Sequence, residues 1–175
     1  MREAVETDLA EIVEIYNSTI SSLIATADTE PVSIASRRPW FDGHSSRRPL
    51  WVVEERGRIL AWLSIHPFNV RPAYHATVEI SVYVAEGQRR RGIGRRLLQH
   101  AVNQAPRLGI NNLVAFVFAH NHFSRRLFDN CGFQRWGYLP RVAELGGRER
   151  DVIVYGLRVR ENCNVLLEGL SRNEP

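Results

Sequence analysis

The residues that decide the fold run from Thr77 to Leu98 and read TVEISVYVAEGQRRRGIGRRLL. Apolar and polar side chains alternate between Val78 and Val84, which is the two-residue period of a β-strand. A loop rich in arginine and glycine follows, and beyond it apolar residues recur at helical spacing as far as Leu108. The sequence therefore predicts a strand that runs through a basic loop into a helix.

The start of this helix is predicted to bind an anion. The first amides of a helix have no intrahelical acceptor, and the helix dipole places partial positive charge there. Gly92 and Gly94 carry no Cβ, so a ligand can approach the main chain closely. Forked, permanently charged donors that suit phosphate are supplied by Arg89, Arg90, Arg91 and Arg95. A pyrophosphate fits this loop.

Two other phosphate-binding loops differ from this one. The dinucleotide fingerprint requires a third glycine and a βαβ unit that leads to an acidic ribose ligand, and neither is evident here. A Walker loop ends in Gly-Lys-Ser/Thr, whereas the chain contains no lysine.

Length and composition are typical of a soluble globular protein. The chain has 175 residues, of which 44% are hydrophobic and 24% charged. We expect one domain over residues 1–160 and a polar C-terminal tail over 161–175. The sequence has no long apolar stretch and begins with an acidic segment, so we expect no membrane span, no signal peptide and a cytoplasmic location. Cys131 and Cys163 lack the spacing of a metal site, and no metal is expected.

The charge pattern leaves two interpretations of the arginines. All 23 basic residues are arginine and the net charge is +4, which a GC-rich genome would explain without any ligand. Five arginines within residues 89–96 are a local cluster, however, and favour a polyanionic ligand. Nucleic acid is a possible polyanion. We find no helix-turn-helix, RRM or zinc pattern, and the glycines suit a single pyrophosphate better, so no nucleic-acid partner is expected.

The pattern of apolar residues predicts an α/β protein with a mixed sheet. Predicted helices cover residues 8–22, 34–44, 92–108 and 122–130. Predicted strands cover 50–54, 58–66, 76–84, 112–119, 133–138 and 151–158, with a stub near 2–5.

The pattern Arg89-x-x-Gly92-x-Gly94, between a strand and a helix, resembles the acyl-CoA loop of the GNAT acetyltransferase superfamily. The predicted order of elements agrees with the GNAT fold, in which two middle strands of a mixed sheet splay apart and the cofactor lies in the cleft. Further segments resemble the phosphinothricin (bialaphos-type) and methionine sulfoximine N-acetyltransferase branch. They are Ile15-Tyr16-Asn17, Thr29-Glu30-Pro31, Arg38-Pro39-Trp40-Phe41, Arg71-Pro72-Ala73-Tyr74, Thr77-Val78-Glu79-Ile80-Ser81-Val82-Tyr83-Val84, Asn121-x-x-Ser124 and Cys131-Gly132-Phe133.

This resemblance implies an enzyme that uses acetyl-CoA to acetylate the amino group of a small amino acid or analogue, and that forms a homodimer. It assigns the acetyl-CoA contacts to Val82, Tyr83, Val84, Arg89, Arg90, Arg91, Gly92, Ile93, Gly94, Arg95 and Asn121. Main-chain groups of Val82 and Val84 would pair with the pantetheine arm as an added strand would. The amide of Val84 would polarise the thioester carbonyl.

Four residues are candidates for contact with the acceptor or for its chemistry. Glu79 is the candidate general base, because a substrate ammonium must lose a proton before it attacks. The alternative is an ordinary outward-facing strand residue, although glutamate is unfavourable in a Val/Ile-rich strand. Arg71 would bind the anionic end of the substrate, or else it is a solvated loop arginine. Tyr74 and Trp40 would wall the pocket, but lone aromatic residues more often belong to a core.

The sequence departs from the family pattern where a general acid is expected. Phe128 replaces the usual histidine or tyrosine, so the thiolate either leaves as the anion or is protonated by His120, His122 or Tyr138. The segment 144–151 also lacks the lysine and tryptophan of the branch. Two alternatives therefore stay open: a different acceptor (a protein N-terminus, an antibiotic or a polyamine), or a catalytically silent acyl-CoA-binding protein.

Overall fold

The structure is a computed structural model that describes residues 1–159. Its centre is a seven-stranded sheet in the order β1-β2-β3-β4-β5-β7-β6. The strands are β1 (Arg2–Glu3), β2 (Leu50–Glu55), β3 (Arg58–Pro67), β4 (Thr77–Val84), β5 (Asn112–Phe118), β6 (Gln134–Leu145) and β7 (Arg148–Arg158). The helices are α1 (Leu9–Ile20), α2 (Ile34–Asp42), α3 (Ile93–Gln104) and α4 (His122–Asn130).

The middle of the sheet opens between β4 and β5. These two strands are parallel, and their pairing ends where Glu79 lies opposite Val114. All other neighbouring strands are antiparallel. Beyond Glu79 the main chain of β4 pairs with β3 alone, so a gap opens towards β5. The predicted mixed sheet with splayed middle strands is thereby confirmed.

Helices cover both faces of the sheet, and the side chains of β4 alternate between these two faces. Val78 and Ile80 are buried in the core that α3 shares with the sheet, together with Leu97. A second cluster, under α1, contains Ile12 and Trp62. Each fully buried leucine or isoleucine contributes roughly 1.5–3 kcal/mol by leaving water. These two cores hold β4 between them, and the side chains that alternate with Val78 and Ile80 face α1 and α2.

The last hairpin differs from the sequence prediction. Its strands were expected over 133–138 and 151–158, but β6 continues to Leu145 and β7 starts at Arg148. Pro140 lies inside β6, although proline is usually excluded from the middle of a sheet. Here it lies on an edge strand, at an irregularity in the pairing between Leu139 and Ala143, where a missing amide is tolerated.

Two helices end earlier than the sequence predicts. α2 ends at Asp42 rather than 44, and α3 ends at Gln104 rather than 108, ahead of Pro106. The expected tail over 161–175 lies outside the described residues. Within residues 1–159, no helix has the length and apolar character needed to span a membrane.

Candidate active site

A cavity of about 170 Å³ lies between β4 and the α1–α2 layer. Its floor is formed by alternate β4 residues, namely Glu79, Ser81 and Tyr83. The walls come from separate elements: Tyr16 on α1, Arg37 and Trp40 on α2, and Trp62, Ser64 and His66 on β3. We call this space the α1–α2 cavity. It combines a carboxylate, a guanidinium and several aromatic rings within one small volume.

Glu79 lies on the floor of the α1–α2 cavity at the point where the sheet begins to open. It is half-buried, and this burial raises the pKa of its carboxyl above the ordinary value, because the charged form loses hydration. Directly across the β3–β4 ladder stands His66. A carboxylate held in this environment is a better proton acceptor than one in water.

Two histidines form an aromatic corner beside Glu79. The rings of His44 and His66 are 4.4 Å apart, and Trp40 lies 5.7 Å from His66. The Nε2 atoms of both histidines are buried without a hydrogen-bond partner. Burial, helped by the nearby charges of His44 and Arg37, lowers the pKa of His66 to about 4. His66 is therefore neutral near pH 7.

Arg37 is fixed in the cavity wall by contacts on the loop side. Its Nη2 donates to Oδ2 of Asp28 at 2.7 Å, and its guanidinium lies 4.3 Å from the ring centroid of Tyr16. The Tyr16 hydroxyl donates to the same carboxylate at 2.5 Å and also bonds to Thr26. These bonds fasten the segment that follows α1 over α1 and α2.

A second, smaller cavity of about 40 Å³ lies in the gap between β4 and β5. Val82 borders it from β4, and Ala115 and Val117 border it from β5. Ser81 and Tyr83 line this gap as well as the α1–α2 cavity. The two cavities therefore meet at the open half of β4.

The main chain of β4 offers unpaired groups to this gap. The amide of Ala85 donates to the carbonyl oxygen of Leu60 at 2.9 Å, on the β3 side. Successive amides of a strand point in opposite directions, so those of Val82 and Val84 point away from β3 and towards the gap. The edge can thus accept an extended ligand in the manner of another strand.

Asn121 borders the gap at the start of α4 and is buried. Its Oδ1 accepts a hydrogen bond from the amide of Ser124 at 3.0 Å, which caps α4. Its Nδ2 donates to the carbonyl oxygen of Ile24 at 3.2 Å. The side chain thus ties the segment after α1 to the wall of the gap.

The glycines of the basic loop shape the start of α3. Gly92 is the residue before the helix and has φ +76°, a left-handed conformation that glycine adopts without strain. A Cβ on Gly94 would lie 3.1 Å from Cδ2 of Leu127, so α3 begins pressed against α4. The first intrahelical bond runs from the Arg96 amide to the Gly92 carbonyl. The amides of residues 93–95 therefore precede this bond and can meet a ligand.

The arginines of this loop differ in their surroundings. Arg91 bonds to Gln88 and lies 3.7 Å from a carboxylate oxygen of Glu55. Arg89 reaches the carbonyl oxygen of Val84 at 3.5 Å. Arg90 has φ +64°, and all three arginines of residues 89–91 are exposed. The predicted anion site is therefore a basic rim around free helix amides.

Arg71 and Tyr74 lie in the loop between β3 and β4, at the two ends of a short 3-10 turn. Arg71 is exposed, and its main-chain amide donates to Oδ1 of Asn69 at 2.9 Å. Tyr74 is 42% exposed and its ring lies 5.7 Å from that of Phe68. Neither residue lines the two cavities described above.

The position of the usual general acid belongs to the core. Phe128 is 3% exposed and packs against Phe133 and Tyr155, with ring centroids 5.0 and 5.7 Å away. Among the alternatives, the Nε2 of His120 lies 2.9 Å from the carbonyl oxygen of Leu23. The Tyr138 hydroxyl donates to Asp151 on the exposed hairpin. His122 is exposed at the start of α4, and none of the three alternatives borders the two cavities.

Sequence reasoning missed most of the α1–α2 cavity. The sequence predicts no role for Arg37 or His66, and it marks Tyr16 only as part of a segment that resembles the family. Trp40 is predicted as a pocket wall, with a place in the core as the alternative. Nothing in the local sequence marks them, because they come together only when α1 and α2 pack on the sheet. For His66 the signal would have been its position opposite Glu79, which depends on the pairing register of β3 and β4.

The sheet that opens beside a glycine-led helix defines a class of acyl-CoA-binding transferases. Residues 10–133 match the Acetyltransferase (GNAT) family, and the chain belongs to that family. It is 48% identical over 157 residues to a protein of Bacillus subtilis that bears the name "Putative phosphinothricin acetyltransferase YwnH". The match covers 89% of this chain and 96% of the relative. The predicted family and enzyme class, an N-acetyltransferase, are confirmed.

Two further comparisons agree. The L-methionine sulfoximine/L-methionine sulfone acetyltransferase of Pseudomonas aeruginosa is 32% identical over 154 residues, covering 87% of this chain and 90% of the relative. The solved structure of a GNAT superfamily phosphinothricin acetyltransferase from Sinorhizobium meliloti, in complex with AcCoA, superposes with a TM-score of 0.84. Its sequence is 29% identical to this one, and the superposition covers 90% of this chain and 86% of the Sinorhizobium meliloti chain.

Acetyl-CoA is the acetyl donor of this family, and the residues present fit it. The left-handed Gly92 and the free amides of residues 93–95 suit a pyrophosphate. The unpaired edge of β4 suits the amide-containing pantetheine arm. Within residues 1–159, no group of three or more His, Cys, Asp or Glu side chains could hold a metal ion.

Proposed function

We propose that this protein transfers the acetyl group of acetyl-CoA to the amino group of a small amino acid or analogue, resembling phosphinothricin or methionine sulfoximine. One observation carries the proposal: the gap between β4 and β5 and the α1–α2 cavity share Ser81 and Tyr83, next to Glu79. A donor lying along β4 and an acceptor in the cavity would meet at these residues. Direct attack in a ternary complex then needs no covalent enzyme intermediate.

Glu79 is the proposed general base. It removes the proton that the acceptor ammonium must lose before the nitrogen attacks, either directly or through a water. Its raised pKa, caused by burial, makes the carboxylate a stronger base than an exposed glutamate. Ser81 and Tyr83 follow it on the same face of β4 and border the path between the two cavities.

The donor is proposed to lie along the open edge of β4. When bound, acetyl-CoA supplies an acetyl group already activated as a thioester. The main chain of Val82, Tyr83 and Val84 would hold the pantetheine arm, and the amide of Val84 would donate to the carbonyl oxygen as negative charge develops. Arg89, Arg90, Arg91, Gly92, Ile93, Gly94 and Arg95 would hold the pyrophosphate. Asn121 would contribute at the wall of the gap.

The thiolate is proposed to leave as the anion. The side chain at the usual acid position, Phe128, has no proton to give and is buried. A thiol is acidic enough for the anion to be a reasonable leaving group near neutral pH. As the amide forms, its nitrogen loses a second proton to solvent, to which Glu79 also returns the first. The departing thiolate then takes up a proton from solvent.

Arg71 and Tyr74 are retained as proposed acceptor contacts from the β3–β4 loop. They do not line the α1–α2 cavity, so they would meet the part of an acceptor that extends beyond it. A single domain over 1–160 and a cytoplasmic location, where acetyl-CoA is abundant, complete the proposal.

A homodimer is also proposed. β6 forms an edge of the sheet and exposes Trp136, Tyr138, Leu139 and Val142, an apolar surface that a second copy could cover. Light scattering that gave the mass of one chain at micromolar concentration would reject the dimer.

The experiment that tests the function measures thiol release from acetyl-CoA with a panel of amines. The panel contains L-phosphinothricin, L-methionine sulfoximine, L-methionine sulfone, a diamine and a peptide. Turnover with the amino-acid analogues is expected. Turnover with the diamine or peptide alone would retain acetyl transfer and reject the acceptor class. Binding of acetyl-CoA without turnover of any amine would favour a silent acyl-CoA-binding protein.

A further inference from the structure

Charge is distributed unevenly in the α1–α2 cavity. Among its lining residues, Glu79 brings the carboxyl group and Arg37 brings the guanidinium. The remaining titratable groups, Tyr16, Tyr83 and His66, are neutral near pH 7, because burial raises the pKa of both tyrosines and lowers that of the histidine to about 4. An α-amino acid carries the complementary pair, an ammonium and a carboxylate.

We propose that Arg37 binds the carboxylate of the acceptor and thereby restricts the enzyme to α-amino acids and their analogues. The inference rests on the proposed function, which places the acceptor amine at Glu79. A planar guanidinium can hold a carboxylate through two parallel hydrogen bonds, which fixes orientation as well as charge. The amine is then directed towards the floor of the cavity.

Arg37 is positioned for this role before any acceptor arrives. Its Nη2 is bonded to Asp28, which does not line the cavity, and its plane lies against Tyr16, which does. A guanidinium has five N–H donors, so the bond to Asp28 leaves several for a ligand. Asp28, which lies outside the cavity, thus fixes the orientation of the Arg37 side chain.

Stability alone does not explain this arrangement. The side chains of Arg37 and Asp28 are 23% and 43% exposed, and ion pairs exposed to this extent contribute little to stability. Removing Arg37 should therefore leave the fold intact. Its position in the wall, opposite a floor that holds Glu79, is accounted for by a ligand.

Arg71 provides the contrast. It lies in the exposed loop between β3 and β4 and does not line the cavity. The resemblance to the family pointed to Arg71 for the anionic end of the acceptor. The geometry points to Arg37 for the α-carboxylate and leaves Arg71 to the remainder of the molecule.

The test compares two acceptors that differ only at the carboxylate: L-methionine sulfone and its carboxamide. The ratio of their kcat/KM values is measured for the wild type and for Arg37→Gln. The ratio is expected to fall about 10- to 100-fold in the variant, as loss of charge-assisted hydrogen bonds predicts. The loss should appear in KM for the sulfone, with KM for acetyl-CoA unchanged. The amines of the two acceptors differ in basicity, but equally for both enzymes.

Matched variants separate binding from structure. Arg71→Gln should leave the ratio near the wild-type value. Asp28→Asn removes the ion pair but keeps the guanidinium, and should lower the ratio less than Arg37→Gln. Arg37→Lys keeps the positive charge but loses the two parallel donors of the guanidinium. Its ratio should lie between those of the wild type and Arg37→Gln. An unchanged ratio in Arg37→Gln, or a larger loss in Arg71→Gln, would overturn the assignment.

A binding measurement distinguishes this inference from the proposed function. Trp40 and Trp62 line the cavity, so their fluorescence should change when L-methionine sulfone binds. If the wild type binds the sulfone through Arg37 but acetylates no amine, the inference stands and the proposed function fails. If the wild type acetylates the sulfone but Arg37→Gln keeps the wild-type ratio, the inference alone fails. Neither binding nor turnover would overturn both.

Discussion

The two cavities that meet at β4 offer different chemical groups to a ligand. The proposed donor side relies on main-chain groups: the amides of Val82 and Val84, which point towards the gap between β4 and β5, and the free amides at the start of α3. The α1–α2 cavity is lined by side chains from two helices and two strands, including Arg37 and His66. The first can hold any molecule with a pantetheine arm and a pyrophosphate. The second can be altered one side chain at a time, so it is where specificity for an acceptor can be set.

The largest expected effect lies where the two cavities join. Glu79→Gln keeps the size of the side chain but removes the base, so kcat/KM for L-methionine sulfone should fall by about 10²- to 10⁴-fold. The dissociation constant of acetyl-CoA should not change, because the donor side is untouched. Glu144→Gln, at an exposed residue of β6, is the control. Wild-type activity in Glu79→Gln would remove Glu79 as the base.

A glycine pair tests whether the donor side is a main-chain site. Gly92 and Gly147 have φ +76° and +70°, and a Cβ would meet no atom within 4 Å at either. Alanine at either position should therefore cost a similar amount of stability, about 1–2 kcal/mol. Only Gly92→Ala should weaken acetyl-CoA binding, by about tenfold, equivalent to one lost charge-assisted hydrogen bond. Equal affinities in the two variants would mean that the basic loop does not hold the donor.

The pH dependence of activity sharpens the role of burial at Glu79. A base must be deprotonated to act, so kcat/KM should fall as the pH falls through the pKa of Glu79. An exposed glutamate has a pKa of about 4.3. Because burial raises the pKa of Glu79 above the ordinary value, the loss of activity should begin at a higher pH than it would for an exposed glutamate. The profile is measured at saturating acetyl-CoA, with stability checked at each pH. An acidic limb at the ordinary glutamate value would show that Glu79 is solvated in the working enzyme.

The smallest predicted effect is on the pH dependence of protein stability, through His66 in the α1–α2 cavity. The pKa of His66 is lowered from 6.5 to about 4 in the folded protein, so the folded state binds fewer protons than the unfolded chain between these values. Stability contributed by neutral His66 is therefore lost as the pH falls from about 6.5 through 4. His66→Gln should make Tm fall less steeply over this range, with the lowered pKa of His44 leaving part of the slope.

The control for that experiment is His122→Gln, at an exposed position on α4. This variant should retain the wild-type dependence of Tm on pH. Identical slopes in His66→Gln and the wild type would show that the His44–His66 corner is hydrated, and that the α1–α2 cavity is more open than its side chains suggest.

The sequence by itself determined the strand, basic loop and helix around Gly92, the mixed sheet and the family. These features follow from neighbouring residues, because strand and helix periods and a left-handed glycine are local properties of the chain. Even there the predicted strand over 133–138 is shorter than β6, because the position of β6 at the edge of the sheet, where Pro140 is tolerated, is not a local property of the chain. The α1–α2 cavity was decided by the tertiary structure. Arg37, His66 and Glu79 lie far apart in the chain, and only the docking of α2 and the register of β3 on β4 bring them together.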